Sequence, residues 1–240
     1  MTASPPLAES AGRVRERQTV RTARYVVMGA EPATARRIWF ALHGYGMLAT
    51  RFARSFIGIV PNDTCVIAPE GLSRFYLEPP RPDGGHLQRV GATWLTREAR
   101  ESDITDAHRW LDAVHDEVLA ECTAGSGHLP LTAVLGFSQG VATAMRWIAS
   151  GHVAPRQFVA WAGGLAADVD ARGFATKMHD AETVLVVGDA DPYATAAASA
   201  SIAATLASFA IPHRTVSFAG GHHLDAPVLG ALLSQLGEVA

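Results

Sequence analysis

The sequence predicts an α/β fold, a mostly parallel central sheet flanked by helices, and three observations predict it. Short apolar runs recur along the chain, segments with apolar residues at intervals of three and four lie between them, and several runs are apolar at nearly every position. The last property suits strands covered on both faces. Strands that alternate with helices imply a parallel sheet, because each helix carries the chain back to the end where the next strand starts.

Strands are expected at Arg24 to Met28, Ile38 to Leu42, Thr64 to Ala68, Leu131 to Phe137, Phe158 to Ala162, Thr183 to Val187 and Thr215 to Phe218. Between them, Ile104, Ala107, Leu111, Val114 and Val118 place one apolar stripe on a helix opened by Ser102 and Asp103. A second helical pattern runs through Leu224, Val228, Leu232 and Leu236, with Asp225 as cap and Pro227 tolerated in the first turn. The Ala-rich stretch Ala194 to Ala204 is a good helix former without needing a functional reading. Glu78 to Gly91, rich in Pro and Gly, is the longest expected loop, a kind of segment that often lines a site.

The totals bound what the chain does. With 240 residues, 48% of them apolar, it can bury one large core, and residues 21–240 are read as a single domain. Residues 1–20, mostly small, polar and charged, are read as a mobile leader. A formal charge of −3 gives no basic field for nucleic acid. The Arg residues of the first forty positions read as solvated surface. Cys65 and Cys122 exclude a disulfide framework and fit a reducing compartment, with Cys65 acting as a small buried hydrophobe. No apolar run is long enough to span a bilayer and the opening lacks the pattern of a secretory signal, so a cytoplasmic location is expected.

The segment richest in chemistry is Gly136-Phe137-Ser138-Gln139-Gly140, between a strand-like run and the helix-like run Val141 to Ile148. A serine on a tight turn between strand and helix projects its hydroxyl beside a helix N-terminus, where backbone N–H groups and the helix dipole stabilise negative charge. Earlier, Leu42-His43-Gly44-Tyr45-Gly46 is a strand running into a Gly-containing turn, so the amides of Tyr45 and Gln139 are the expected oxyanion donors. His43 is read as shaping that turn. For the acid, the strand ending at Val187 leads into Gly188-Asp189-Ala190-Asp191-Pro192, in which Asp191 is favoured and Asp189 could instead cap the turn. For the base, Gly220-Gly221-His222-His223 follows a strand at a loop tip. No Asp, Glu, His or Cys set with zinc spacing accompanies the two histidines, so neither metal nor cofactor is expected. Serine, acid and histidine follow in the chain order expected of α/β-hydrolases.

Together with Gly91-Ala92-Thr93-Trp94, this ordered set resembles the phospholipase/carboxylesterase family, which includes acyl-protein thioesterases, over nearly the whole chain after the leader. The resemblance implies an α/β-hydrolase fold and a serine esterase or thioesterase with Ser138, Asp191 and His222 as catalytic triad. It also implies Trp94 near the acyl pocket, and Tyr76 is added as a second apolar wall, with plain core for Trp94 and a structural place for Tyr76 as the alternative readings. Only the short segment Gly163 to Glu182 stands where many hydrolases insert a lid domain, so an open site for small-molecule esters of short to medium acyl chains is expected. Two other readings use the same residues: a non-catalytic relative that binds a ligand, and an acyltransferase. The oligomeric state is not legible.

Overall fold

The computed structural model describes residues 13–79 and 89–237. In chain order its strands are β1 (Tyr25–Gly29), β2 (Arg37–Leu42), β3 (Thr64–Pro69), β4 (Ser73–Tyr76), β5 (Val90–Thr93), β6 (Leu131–Phe137), β7 (Gln157–Trp161), β8 (Glu182–Gly188) and β9 (His213–Phe218). Its helices are α1 (Ala49–Phe52), α2 (Arg100–Ser126), α3 (Gln139–Ser150), α4 (Ala171–Met178), α5 (Ala196–Ser208) and α6 (Ala226–Gln235). The seven expected strands all join one sheet, in the order β1-β3-β2-β6-β7-β8-β9. Only β1 runs antiparallel, against β3, and the other pairings are parallel.

The fully apolar runs are strands covered on both faces. On one face Ile38, Phe40, Val134 and Phe158 pack against Leu111 and Val118 of α2, Trp147 and Ile148 of α3, and Phe174 of α4. On the other, Trp39, Leu135, Val159 and Val184 meet Phe52 of α1 and Leu229, Leu232 and Leu233 of α6. Burying a side chain of this size contributes about 1.5–3 kcal/mol, so the two layers hold the sheet between them. The segment between β7 and β8 holds α4 and no further element, in keeping with the absence of a large lid domain. Among the described residues no helix is long and apolar enough to cross a membrane.

Three local readings need correction or completion. Helix α2 begins at Arg100, so Ser102 and Asp103 lie inside its first turn and do not cap it. The Asp103 carboxylate instead accepts the N–H of Thr96 at 2.8 Å, and the Ser102 hydroxyl donates to Glu16 at 2.7 Å, which brings part of the expected leader against α2. The expected loop Glu78 to Gly91 is flanked by a hairpin of β4 and β5, and its residues 80–88 lie outside the described ones. By contrast, Asp225 caps α6 as expected, accepting from the Val228 N–H at 3.0 Å.

Both glycines around Ser138 are sterically required. A Cβ on Gly136 would lie 2.6 Å from the carbonyl oxygen of Gly140, and one on Gly140 would lie 2.3 Å from that of Leu42. Strand β6 and helix α3 therefore meet at a separation only hydrogen permits. Gly140→Ala is expected to lower unfolding free energy by about 1–3 kcal/mol or more, read from urea denaturation, because backbone and not a flexible side chain must move.

Candidate active site

The three candidate catalytic residues and the Tyr45 turn each follow the carboxyl end of a parallel strand. The turn after β2 carries His43 to Met47, that after β6 carries Ser138, and those after β8 and β9 carry Asp191 and His222. Crossover helices force all these ends onto one edge of the sheet, which is why stretches so distant in sequence converge.

Ser138 occupies φ 53°, ψ −116°, a conformation that side-chain-bearing residues avoid. Its N–H donates to Trp161 O at 2.9 Å, which fixes the turn on β7. The hydroxyl lies 3.0 Å from His222 Nε2, and His222 Nδ1 lies 2.8 Å from Asp191 Oδ2. A carboxylate can only accept, so Nδ1 carries the proton and Nε2 is left to accept from Ser138. The imidazole is wedged between the rings of Phe137 and Tyr193, each centred 5.0 Å away.

Asp191 is buried, and its second oxygen accepts the N–H groups of Tyr193 at 2.8 Å and Ala194 at 3.0 Å. Burial acts to raise this carboxyl, but the Tyr193 amide, the His222 hydrogen bond and the Ala194 amide outweigh it and hold it below the usual carboxylate range. A depressed folded-state value stabilises the native protein above the unfolded pKa, about 3.9, and that stabilisation is lost as pH falls through the folded value. The stability gap between wild type and Asp191→Asn, measured by urea unfolding, is therefore expected to narrow as pH drops from about 5 to about 2.

The neighbours of the acid and the base have other partners. Asp189 accepts the Gly220 N–H at 3.0 Å, and His223 packs its ring edge-on to Phe218 while its carbonyl accepts from Trp161 Nε1 at 2.9 Å. The Asp189 contact zips the turns after β8 and β9 together, and the His223 carbonyl ties the second of them to the end of β7. Gly188 completes the closure, since a Cβ there would lie 2.3 Å from Gly220 O.

Tyr45 belongs to a turn pressed against the nucleophile: a Cβ added to Gly44 would be 3.2 Å from that of Ser138. The Tyr45 amide donates to no acceptor among the described residues, and the Gln139 amide, first in α3, is one that a helix leaves without an internal acceptor. His43 is structural, as expected. Its Nε2 accepts the Gly71 N–H at 2.9 Å, its Nδ1 donates to Gly44 O at 2.8 Å, and burial pushes its pKa down.

Trp94 and Tyr76 are not brought to the cavity beside Ser138. Trp94 is 2% exposed, stacks on the His43 ring at 4.9 Å and donates its Nε1 to His43 O at 2.8 Å. Tyr76 is 65% exposed on β4. Hairpin β4–β5 instead packs against the Tyr45 turn, with the Tyr45 and Phe75 rings 5.2 Å apart, and Trp94 braces this turn through His43.

Sequence reasoning also missed supports. The Gln139 side-chain oxygen accepts from Trp94 N, and its Nε2 donates to Thr93 Oγ1 and Leu95 O, clamping the serine turn to the end of β5. Buried Glu70 accepts the Ala49 N–H and pairs with Arg24 and Arg74. Only Pro192 after Asp191 was a local signal, marking a turn in which Asp accepts amides just ahead of it. Among the described residues no group of three or more His, Cys, Asp or Glu could hold a metal ion.

A parallel sheet of this order, with a serine on a strained strand-to-helix turn, defines an α/β-hydrolase. The chain belongs to the serine hydrolase (FSH1) family, whose model matches residues 73–226 and so takes in Ser138, Asp191 and His222. Among solved structures it is similar to a carboxylesterase from Mesorhizobium loti, with a TM-score of 0.64 and 18% identity over 88% of this chain and 94% of that one. It is also similar to Zea mays acyl-protein thioesterase 2, with a TM-score of 0.63 and 18% identity over 90% and 99% of the two chains. A phospholipase/carboxylesterase from Dyadobacter fermentans gives 0.61 and 15% over 90% and 99%. At these identities the likeness speaks for the fold, in line with the resemblance read from the motifs. No curated protein matches the sequence.

Proposed function

We propose that the protein hydrolyses carboxylic esters, thioesters included, through an acyl-enzyme on Ser138. The observation that carries this reading is the unbroken hydrogen-bonded line from Ser138 Oγ through His222 to Asp191. Ser138 Oγ bonds to the acyl carbon while His222 Nε2 takes its proton, and the Tyr45 and Gln139 amides hold the oxyanion. As the bond to the leaving oxygen or sulfur breaks, the imidazolium returns the proton to it; water then repeats the sequence and frees the acid. Asp191, kept ionised, stabilises the imidazolium between these transfers.

The substrate is a small-molecule ester of short to medium acyl length. Residues 21–240 act as one domain in the cytoplasm, where the buried thiols of Cys65 and Cys122 stay reduced; burial pushes the Cys65 thiol up to about 12 and makes it inert. Incubation with a fluorophosphonate should place one adduct on Ser138, located by peptide mass spectrometry. A wild-type protein that stays unlabelled, or is labelled elsewhere, would defeat the proposal.

A further inference from the structure

A cleft of about 320 Å³ opens beside Ser138 and is separate in its lining from Trp94 and Tyr76. Helix α3 forms one side through Ala142, and α5 another through Ala198 and Ile202, which share a face one turn apart. Ala160 of β7 and Leu185 of β8, both in the core, close it toward the sheet. No charged side chain is among the lining residues, and Ile202 is the one large aliphatic side chain that α5 adds.

We propose that this cleft seats the acyl chain, that it selects uncharged acyl groups of butyryl to octanoyl length, and that Ile202 sets the upper limit. The inference rests on the acyl-enzyme reading above. In that reaction the leaving oxygen must face His222 Nε2, which returns its proton, and the imidazole side chain keeps 22% of its surface exposed, so the alcohol departs to solvent. The acyl carbon stays bonded to Ser138, and the cleft begins at that residue. Its walls are mostly alanine, glycine and aliphatic surface, with Gln139, Tyr193 and Ser199 as the polar-bearing exceptions besides Ser138, which favours methylene groups, whereas a terminal carboxylate would meet no counter-ion there.

Two substrate series separate acyl from alcohol recognition: p-nitrophenyl esters from acetyl to decanoyl, and acetate esters of lengthening alcohols. For wild type, kcat/KM should rise to a medium acyl chain and then fall, with little dependence on alcohol length. Ile202→Trp should lower kcat/KM for the octanoate by about tenfold or more while leaving the acetate within about twofold, and Ile202→Ala should move the optimum to longer acyl chains. Ala198→Phe, at an exposed position of α5, gives the same readout if the tryptophan variant fails to fold. The p-nitrophenyl hemisuccinate should react at least about tenfold more slowly than the butyrate. Variants that hydrolyse acetate normally but shift the alcohol series, or shift neither series, overturn the assignment of the cleft, and equal rates on hemisuccinate and butyrate overturn its selection for neutral chains. A wild type that neither hydrolyses acetate nor takes the fluorophosphonate defeats the acyl-enzyme reading itself, a result distinct from these.

Discussion

Ser138→Ala is expected to lower kcat on p-nitrophenyl acetate by a factor on the order of 10⁴ to 10⁶, leaving only what the amide donors and binding supply. The substitution removes one oxygen and leaves the backbone as it is, so circular dichroism should be unchanged. A companion variant, Ser138→Gly, should be equally inactive yet more stable than the alanine protein. The residue sits at φ 53°, ψ −116°, where any Cβ is strained and glycine is not. Such strain is worth about 1–3 kcal/mol, and the greater freedom of unfolded glycine offsets roughly 0.5–1 kcal/mol of the relief. The remainder, about 1 kcal/mol, corresponds to a melting temperature about 2–4 °C higher for the glycine variant. Retention of most activity by either variant would remove Ser138 from the chemistry, whatever the distances.

Asp191→Asn is expected to lower kcat by a factor on the order of 10⁴, whereas Asp189→Asn should change it by less than about tenfold. The two carboxylates are two residues apart, yet they meet different partners. An amide at 191 would present an N–H to His222 Nδ1 or turn its oxygen there at the expense of the Tyr193 and Ala194 amides. In the first case the ring takes the wrong tautomer and Nε2 can no longer accept from Ser138. An amide at 189 still offers an oxygen to the Gly220 N–H, so the zipped turns survive. Comparable losses in both variants would show that holding the turns together, and not ionisation at 191, governs the rate.

What the sequence makes legible is what depends on local chemistry. The short apolar runs read as strands, and those of β2, β3, β6, β7 and β8, apolar at nearly every position, as strands covered on both faces; the Gly136 contact likewise lies within one strand-turn-helix unit, whereas Gly140 is pressed on Leu42 of β2. The spacing of Ser138, Asp191 and His222 is legible because the order of strands already brings their carboxyl ends to one edge. The hairpin of β4 and β5 is not, since Ser73-Arg74-Phe75-Tyr76 and Val90-Gly91-Ala92-Thr93 are too short and mixed to show a period, and their pairing depends on the turn at Gly46, whose N–H donates to Ala92 O. The place of Trp94, which directly follows β5, depends on that hairpin. The cleft is hidden for the opposite reason: Ala142, Ala160 and Ala198 look like filler, and they become walls only when α3 and α5 stand on either side of β7 and β8.

Trp94 has a further consequence once its place is known. Its backbone N–H donates to the Gln139 side chain and its indole to the His43 carbonyl, so a single residue ties together the two turns whose amides are proposed to face the oxyanion. The separation of those donors is thus set when the chain folds and does not wait for substrate. Catalysis of this kind gains by spending little on rearranging dipoles during turnover, and a rigid crosspiece under the anion cradle is one way a small, lidless enzyme obtains that economy.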